Sequence, residues 1–367
     1  MDFGLSEEQR QLKDSARAFL SGECPTSTLR KIMASEDGYP RELYAEVAKL
    51  GWSGLIVPEE FGGAGLGMLD MAMILEEGGY AAMPGPFLFS SVLAASALKL
   101  GGSKELNSKW LAPLAEGKAI GTVAVVESAG SIETVDIATV ASKRDSGWHL
   151  SGAKMFVPFA NVADFVVVAA RNDAGEIFLF VVDTKSPGVT VRSLKNLDLT
   201  RRVSSVELKN VPAELLSGGA GVDLFAKLID VAAVAIAADS LGGTERALEM
   251  AVEYSKIREQ FGKPIGSFQA LKHAAAEIVA DLEPARALVW YAAHGAGENS
   301  SREASMAKAR LCDIYSRGTD RAVLMHGGIG FTWEHDMHLW FKRARFNESY
   351  FGSPGYHRER VAVLGGY

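Results

Sequence analysis

A guanidinium, an amide and an aromatic ring lie close together at Arg258, Gln260 and Phe261. They sit in the stretch YSKIREQFGKPIGSFQALKHAAAEI, from Tyr254 to Ile278. Arginine can bond a phosphate through parallel N–H donors, and an aromatic ring can cover a flat heterocycle. Those parts would hold the ADP end of a dinucleotide without a Rossmann turn. An ordinary helical hairpin with a solvated arginine accounts for the same residues if the stretch is taken alone.

The elements that must carry these groups follow from periodicity. Tyr254, Ile257 and Phe261 recur at helical spacing, and Gly262, Lys263 and Pro264 break the pattern. Ser267 and Phe268 lead into a second helical run through Leu271, Ala275 and Ile278. Long helical periods at Val222 to Lys256, Phe268 to Ala296, Glu303 to Met325 and Asp336 to Tyr350 predict a four-helix bundle over 218–367. Ser300 with Glu303 reads as a capping box there, as does Ser6 with Gln9 at the N-terminus.

Residues 1–118 read as a small helical domain. Its helices start near Ser6 and Tyr39-Pro40, and cover Met68 to Glu77, Phe87 to Leu100 and Glu105 to Ala115, with a glycine-rich loop from Pro58 to Gly67. Between them, 119–217 holds short runs rich in Val, Thr and Phe, separated by turn residues such as Asp145-Ser146-Gly147. No helical pattern separates these runs, which predicts an antiparallel β-sandwich or barrel. Gly218-Gly219-Ala220-Gly221 reads as the hinge into the bundle. The fold class is thus α+β.

Composition excludes several classes. The chain has 367 residues, 48% apolar and 23% charged, as in globular proteins. A net charge of −7 argues against a nucleic-acid surface, so an anionic ligand needs local cations such as Arg258. Two distant cysteines, Cys24 and Cys312, offer neither a disulfide framework nor metal spacing, and fit a reducing cytoplasm. The N-terminus has no signal-like pattern, and the apolar run Val231 to Ala238 is too short to span a membrane.

The motif Arg258-x-Gln260-Phe261-Gly262-x-Pro264, then Phe268-Gln269 and His273, resembles the C-terminal signature of the acyl-CoA dehydrogenase family. His326-Gly327-Gly328-Ile329-Gly330-Phe331-Thr332 resembles that family's later glycine turn. The opening MDFGLSEEQRQLKDSARAFL and the PEEFGGAGLG and GAKMFV segments extend the resemblance over nearly the whole chain. It implies a helical domain, a β-barrel and a four-helix bundle, usually assembled as a homo- or hetero-oligomeric dimer of dimers. It implies FAD as cofactor, an acyl-CoA substrate and electron-transfer flavoprotein as electron acceptor. On that template Arg258 pairs with the FAD pyrophosphate and Gln260 bonds nearby. Phe261 packs on the adenine side, and Gln269 faces the same cofactor. Gly327, Gly328 and Gly330 let backbone approach the ADP moiety. Phe156 packs on the flavin ring, and Ser131 matches a position that contacts acyl-CoA.

The departures from the family pattern are as informative. Leu324 replaces a glutamine before the glycine turn. Val126-Glu127 stands where a Thr-Glu step meets the isoalloxazine. Lys154-Met155-Phe156-Val157-Pro158 ends in proline where a hydroxyl is usual. Family members use a glutamate to take the α-proton while the β-hydrogen leaves as hydride to the flavin. Phe351 occupies one position for that base, and Ala232, followed by Ala233, occupies the other. Losing a positioned base costs roughly 10²–10⁴ in rate. Glu348 is the first substitute to weigh, followed by Glu334, Asp230 and Asp239, so no catalytic residue is assigned. The pattern suits the base-lacking subunit of a two-chain acyl-CoA dehydrogenase acting on lipid or steroid side chains. A homotetramer with a relocated base, a flavin monooxygenase and a flavin-free structural subunit are the alternatives.

Overall fold

The computed structural model describes residues 4–144, 147–217, 221–296 and 300–367. Asp145 and Ser146 of the anticipated turn, and Gly218 to Ala220 of the anticipated hinge, lie outside the described residues. The chain folds into two compact units. One gathers the chain up to Arg30, Ala72–Met83 and Ala233–Tyr367, and the other Lys31–Met71 and Pro84–Ala232.

The first unit is helical. Helix α1 (Glu7–Glu23) opens with the anticipated box, in which Ser6 Oγ accepts from Gln9 N and Gln9 reaches back to Ser6 N. A helix the sequence pattern did not reveal, α2 (Thr26–Ala34), follows. In the second unit, α3 (Arg41–Lys49) starts after Pro40. Helix α4 (Met68–Tyr80) comes next and belongs mostly to the first unit; a π-helical turn of the second unit, Leu88–Ala94, then leads into α5 (Ala95–Gly101) and on to α6 (Lys104–Ala115).

The second unit is built around seven strands: β1 (Gly121–Ala124), β2 (Val140–Arg144), β3 (Gly147–Pro158), β4 (Phe165–Asn172), β5 (Ile177–Asp183), β6 (Val189–Leu194) and β7 (Val203–Leu215). Their pairings run β2 to β3, β3 to β7, β7 to β5, β5 to β4 and β4 back to β2, so the sheet closes into a barrel. The closed sheet is not wholly antiparallel. Strand β4 pairs in parallel with β1 (Gly121 opposite Phe165) and with β2 (Val140 opposite Arg171). A parallel pair needs a long crossover, and the β2–β3 excursion supplies it between β1 and β4. Alternate residues such as Leu150, Val166, Val168, Phe180, Val206 and Val211 fill the interior.

Helix α7 (Gly221–Ile257) runs from the second unit into the first. The rest of the bundle is α8 (Gln269–His294), α9 (Ser301–His326) and α10 (Met337–Ser349). A fifth helix, α11 (Pro354–Leu364), is capped by Ser353 Oγ, with Pro354 in its first turn. The anticipated box at Ser300 does not form. Its backbone lies at φ −118°, ψ 31°, not extended, and its hydroxyl turns back to Ala292 O at 3.5 Å. Helices α4 and α7 meet through glycine. A Cβ on Gly242 would fall 1.7 Å from Glu76 O, and one on Gly79 would fall 1.9 Å from Asp239 O.

Candidate functional site

Helix α7 ends at Ile257, and the residues after it form a hairpin of β8 (Glu259–Gln260) and β9 (Lys263–Pro264). Phe261 therefore does not continue the helix. Phe261 (φ +54°) and Gly262 (φ +73°) are the turn, and left-handed conformations at both central residues suit a two-residue hairpin. For phenylalanine this conformation costs about 1–2 kcal/mol. It lifts the ring clear of the protein, 92% exposed, with Phe268 edge-on at 6.0 Å.

A cavity of about 920 Å³ opens beside this hairpin, wholly within the helical unit. Its walls take Arg258, Gln260 and Phe261 from the hairpin, Leu271 from α8, and Arg321, Leu324, Gly327 and Gly328 from the end of α9 and its turn. The structure thus brings five of the anticipated residues together. The Arg258 side chain is exposed and has no carboxylate partner among the described residues. Gln260 is exposed, and its Nε2 donates to Glu259 O at 2.7 Å. Gly327 adopts φ +66°, and a Cβ on Gly327 or Gly328 would meet open space.

The other anticipated residues are placed differently. Gln269 is exposed at the first turn of α8 and does not line the cavity. Gly330 turns inward, where a Cβ would crowd His326 Cβ at 2.7 Å and Val323 O at 2.8 Å. Its role is close packing under the turn. Leu324 is 77% exposed on the cavity wall, an apolar side chain where the family resemblance leads one to expect a glutamine.

Arg321 escaped the sequence reading. It stands one helical turn before Leu324, so α9 carries it to the same wall. It pairs with Glu277 on α8, which keeps it from being as available as Arg258. Counting back along the helix from the glycine turn is the signal that would have found it. Beneath the wall, His326 stacks on Tyr254 at 4.7 Å between ring centroids and packs against His335 at 4.4 Å. Its Nδ1 donates to Ala322 O at 2.7 Å, and burial pushes its pKa below the ordinary imidazole value.

Phe156 and Ser131 belong to the barrel unit. Strand β3 shifts register against β7 between Lys154 and Val157, and Phe156 sits in that bulge at φ +53°, half-exposed. A bulge re-aims a side chain, and a strained backbone of this kind concentrates at ligand sites. Ser131 Oγ accepts from Glu133 N at 3.0 Å, in the loop between β1 and β2.

The two positions where the family resemblance places the base hold no carboxylate. Ala232 and Ala233 are fully buried. Phe351 is buried at φ +54°, and its carbonyl accepts from His357 Nε2 at 2.8 Å. Burial lowers the His357 pKa to about 3, so that ring is a neutral donor. Glu348 accepts from Ser316 Oγ at 2.8 Å and pairs with Arg345 at 3.0 Å. Asp239 accepts from Asn347 Nδ2 at 2.7 Å, Asp230 is buried, and Glu334 lies on the exposed segment before α10.

These groups fit the ADP end of FAD. A free guanidinium meets a diphosphate, a projecting ring meets a purine, and an open glycine turn lets backbone come near.

Comparisons with known proteins identify the family. Models of the acyl-CoA dehydrogenase N-terminal, middle and C-terminal domains match residues 6–118, 122–211 and 219–363. The chain belongs to the acyl-CoA dehydrogenase family, FAD-dependent oxidoreductases that act on CH–CH bonds. It is 33% identical over 361 residues to acyl-CoA dehydrogenase IpdE2 of Mycolicibacterium smegmatis, covering 98% of each chain. Among solved structures it is similar to a variant of the Tcur3481–Tcur3483 steroid ACAD, with TM-score 0.91, 30% identity and 98% of each chain covered. It is also similar to the ChsE4–ChsE5 complex of Mycobacterium tuberculosis, with TM-score 0.90, 29% identity and 99% and 98% covered. No helix among the described residues is long and apolar enough to cross a membrane.

Proposed function

We propose that this chain is the base-lacking subunit of a heteromeric acyl-CoA dehydrogenase. It lends Arg258, Gln260, Phe261, Gly327 and Gly328 to the ADP end of FAD, with Arg321 as a second cation on the same wall. Bound flavin supplies the two-electron acceptor. This chain contributes positive charge and an aromatic surface, which position the cofactor and shield it from water. Phe156 on the barrel is the residue for the ring end, and Ser131 the one for the acyl-CoA. Electron-transfer flavoprotein is the expected acceptor from the reduced complex.

One observation carries the reading. The cavity for the nucleotide is built and unobstructed, while Phe351 and Ala232 fill the two base positions and Glu348 is engaged in an ion pair. A subunit that binds the cofactor and leaves proton abstraction to its partner would keep the first feature and lose the second. Two similar assemblies, the Tcur3481–Tcur3483 steroid ACAD and the ChsE4–ChsE5 complex, favour a bulky CoA thioester as substrate.

The test is the FAD-to-chain ratio, measured on the protein made alone and co-expressed with its genomic neighbour. Substoichiometric FAD and no dye reduction alone, with both restored in the co-purified complex, is the expected result. Stoichiometric FAD and acyl-CoA-dependent dye reduction by the isolated chain would overturn the proposal.

A further inference from the structure

A buried ion pair of the barrel unit, Glu127 with Lys154, lies between the two segments that carry Ser131 and Phe156. Glu127 is the last residue before the loop 128–137. One carboxylate oxygen accepts from Ala138 N at 2.9 Å. The other accepts from Thr139 N at 3.0 Å and Thr139 Oγ1 at 2.7 Å. The carboxylate therefore ties the two ends of that loop together. The same Oε1 accepts from Lys154 Nζ at 2.7 Å, and Lys154 also donates to Val125 O at 3.2 Å. Lys154 is wholly buried, and Thr139 is 1% exposed.

Lys154 stands at the start of the β3 bulge, two residues before Phe156. Between them, Met155 N donates to Val126 O at 2.8 Å. Further along, Thr122 Oγ1 donates to Pro158 O at 2.5 Å. Gly152 comes so close to Thr139 that a Cβ would lie 2.5 Å from its hydroxyl oxygen. Arg171 fixes the far side of the loop by donating to Thr134 O at 2.6 Å and Ile137 O at 3.2 Å. A left-handed phenylalanine persists only where its surroundings over-determine it, and these bonds do so.

We propose that Glu127 and Lys154 form a buried pin that fixes loop 128–137 to strand β3 and so sets Ser131 and the Phe156 ring in one register. They are positioning residues, since neither side chain is exposed to a ligand. The assignment rests on the reading of Ser131 and Phe156 given under the proposed function. The local consequence of the pin can be read without flavin.

The experiment has two arms on Glu127→Gln. In the flavin-free chain, amide hydrogen exchange of Ala138, Thr139 and the loop before them is compared with that of β5. A hydrogen bond to a charged acceptor predicts exchange faster by about tenfold or more in the loop and unchanged in β5. In the FAD-loaded complex, the visible flavin band should shift and KM for acyl-CoA should rise more than kcat falls. If Glu127→Gln does not fold, the double variant Glu127→Gln/Lys154→Met, which leaves no lone buried charge, carries the same test. Unchanged loop exchange overturns the pin. Faster exchange with an unmoved flavin band and KM overturns its positioning role. Failure of the nucleotide reading would appear separately, as unchanged FAD affinity on substitution of Arg258.

Discussion

Arg258→Gln isolates the charge at the nucleotide cavity. The side chain is exposed and has no carboxylate partner among the described residues, so the substitution breaks no ion pair. Folding and the thermal midpoint should stay as in the parent. A hydrogen bond to a charged group contributes about 1.5–3 kcal/mol net, and each 1.4 kcal/mol is tenfold in affinity, so FAD should bind roughly 10- to 150-fold more weakly. The loss should shrink with added salt, because an exposed cation is screened over about 10 Å at 0.1 M. Equilibrium dialysis of FAD against the co-purified complex, at low and high ionic strength, gives both quantities. Arg321→Gln is the internal comparison. It should cost less, since that guanidinium is already shared with Glu277. A folded Arg258→Gln protein whose FAD affinity lies within about twofold of the parent at low salt would refute the assignment of this cavity to the pyrophosphate.

Phe261→Gly should relieve the left-handed strain at φ +54° and leave the thermal midpoint of the flavin-free protein equal or higher, while FAD binding weakens; melting curves and FAD titration separate the two. Glu348→Gln should leave dye reduction by the complex within about twofold of the parent, because Glu348 is held by Arg345 and Ser316. A drop near the 10²–10⁴ expected for a lost base would make Glu348 the base after all. Burial pushes the Lys154 pKa down to about 8, below its ordinary value near 10.5. The unfolded chain then holds the extra proton between those values, so this group's contribution to stability grows as pH rises from 8 towards 10.5 and is lost as pH falls back through 8. Denaturant melts of parent and Lys154→Met across that range should diverge by up to about 3 kcal/mol, the parent gaining with pH.

Local signals in the sequence settled the elements whose determinants lie within a few residues. The Ser6–Gln9 box and the start of α3 after Pro40 are of that kind. The gathering of Arg258, Gln260, Phe261, Gly327 and Gly328 at one cavity was legible too, because these residues are concentrated in short stretches. Tertiary structure decided whatever depended on a distant partner. Ser300 satisfies its hydroxyl on α8, so a correct capping pattern produced no cap. Strand β4 takes parallel neighbours because the β2–β3 excursion returns the chain in the same direction, which strand periodicity does not encode. Phe261 left its helix because the backbone ladder of β8 and β9 outweighs the strain at one residue. Arg321 reaches the cavity by the phase of a long helix, and Glu127 meets Lys154 only once the barrel closes. A buried charge stays ionised where the fold brings an opposite charge and donors to it, and that choice of partner is made by packing rather than by adjacency in the chain.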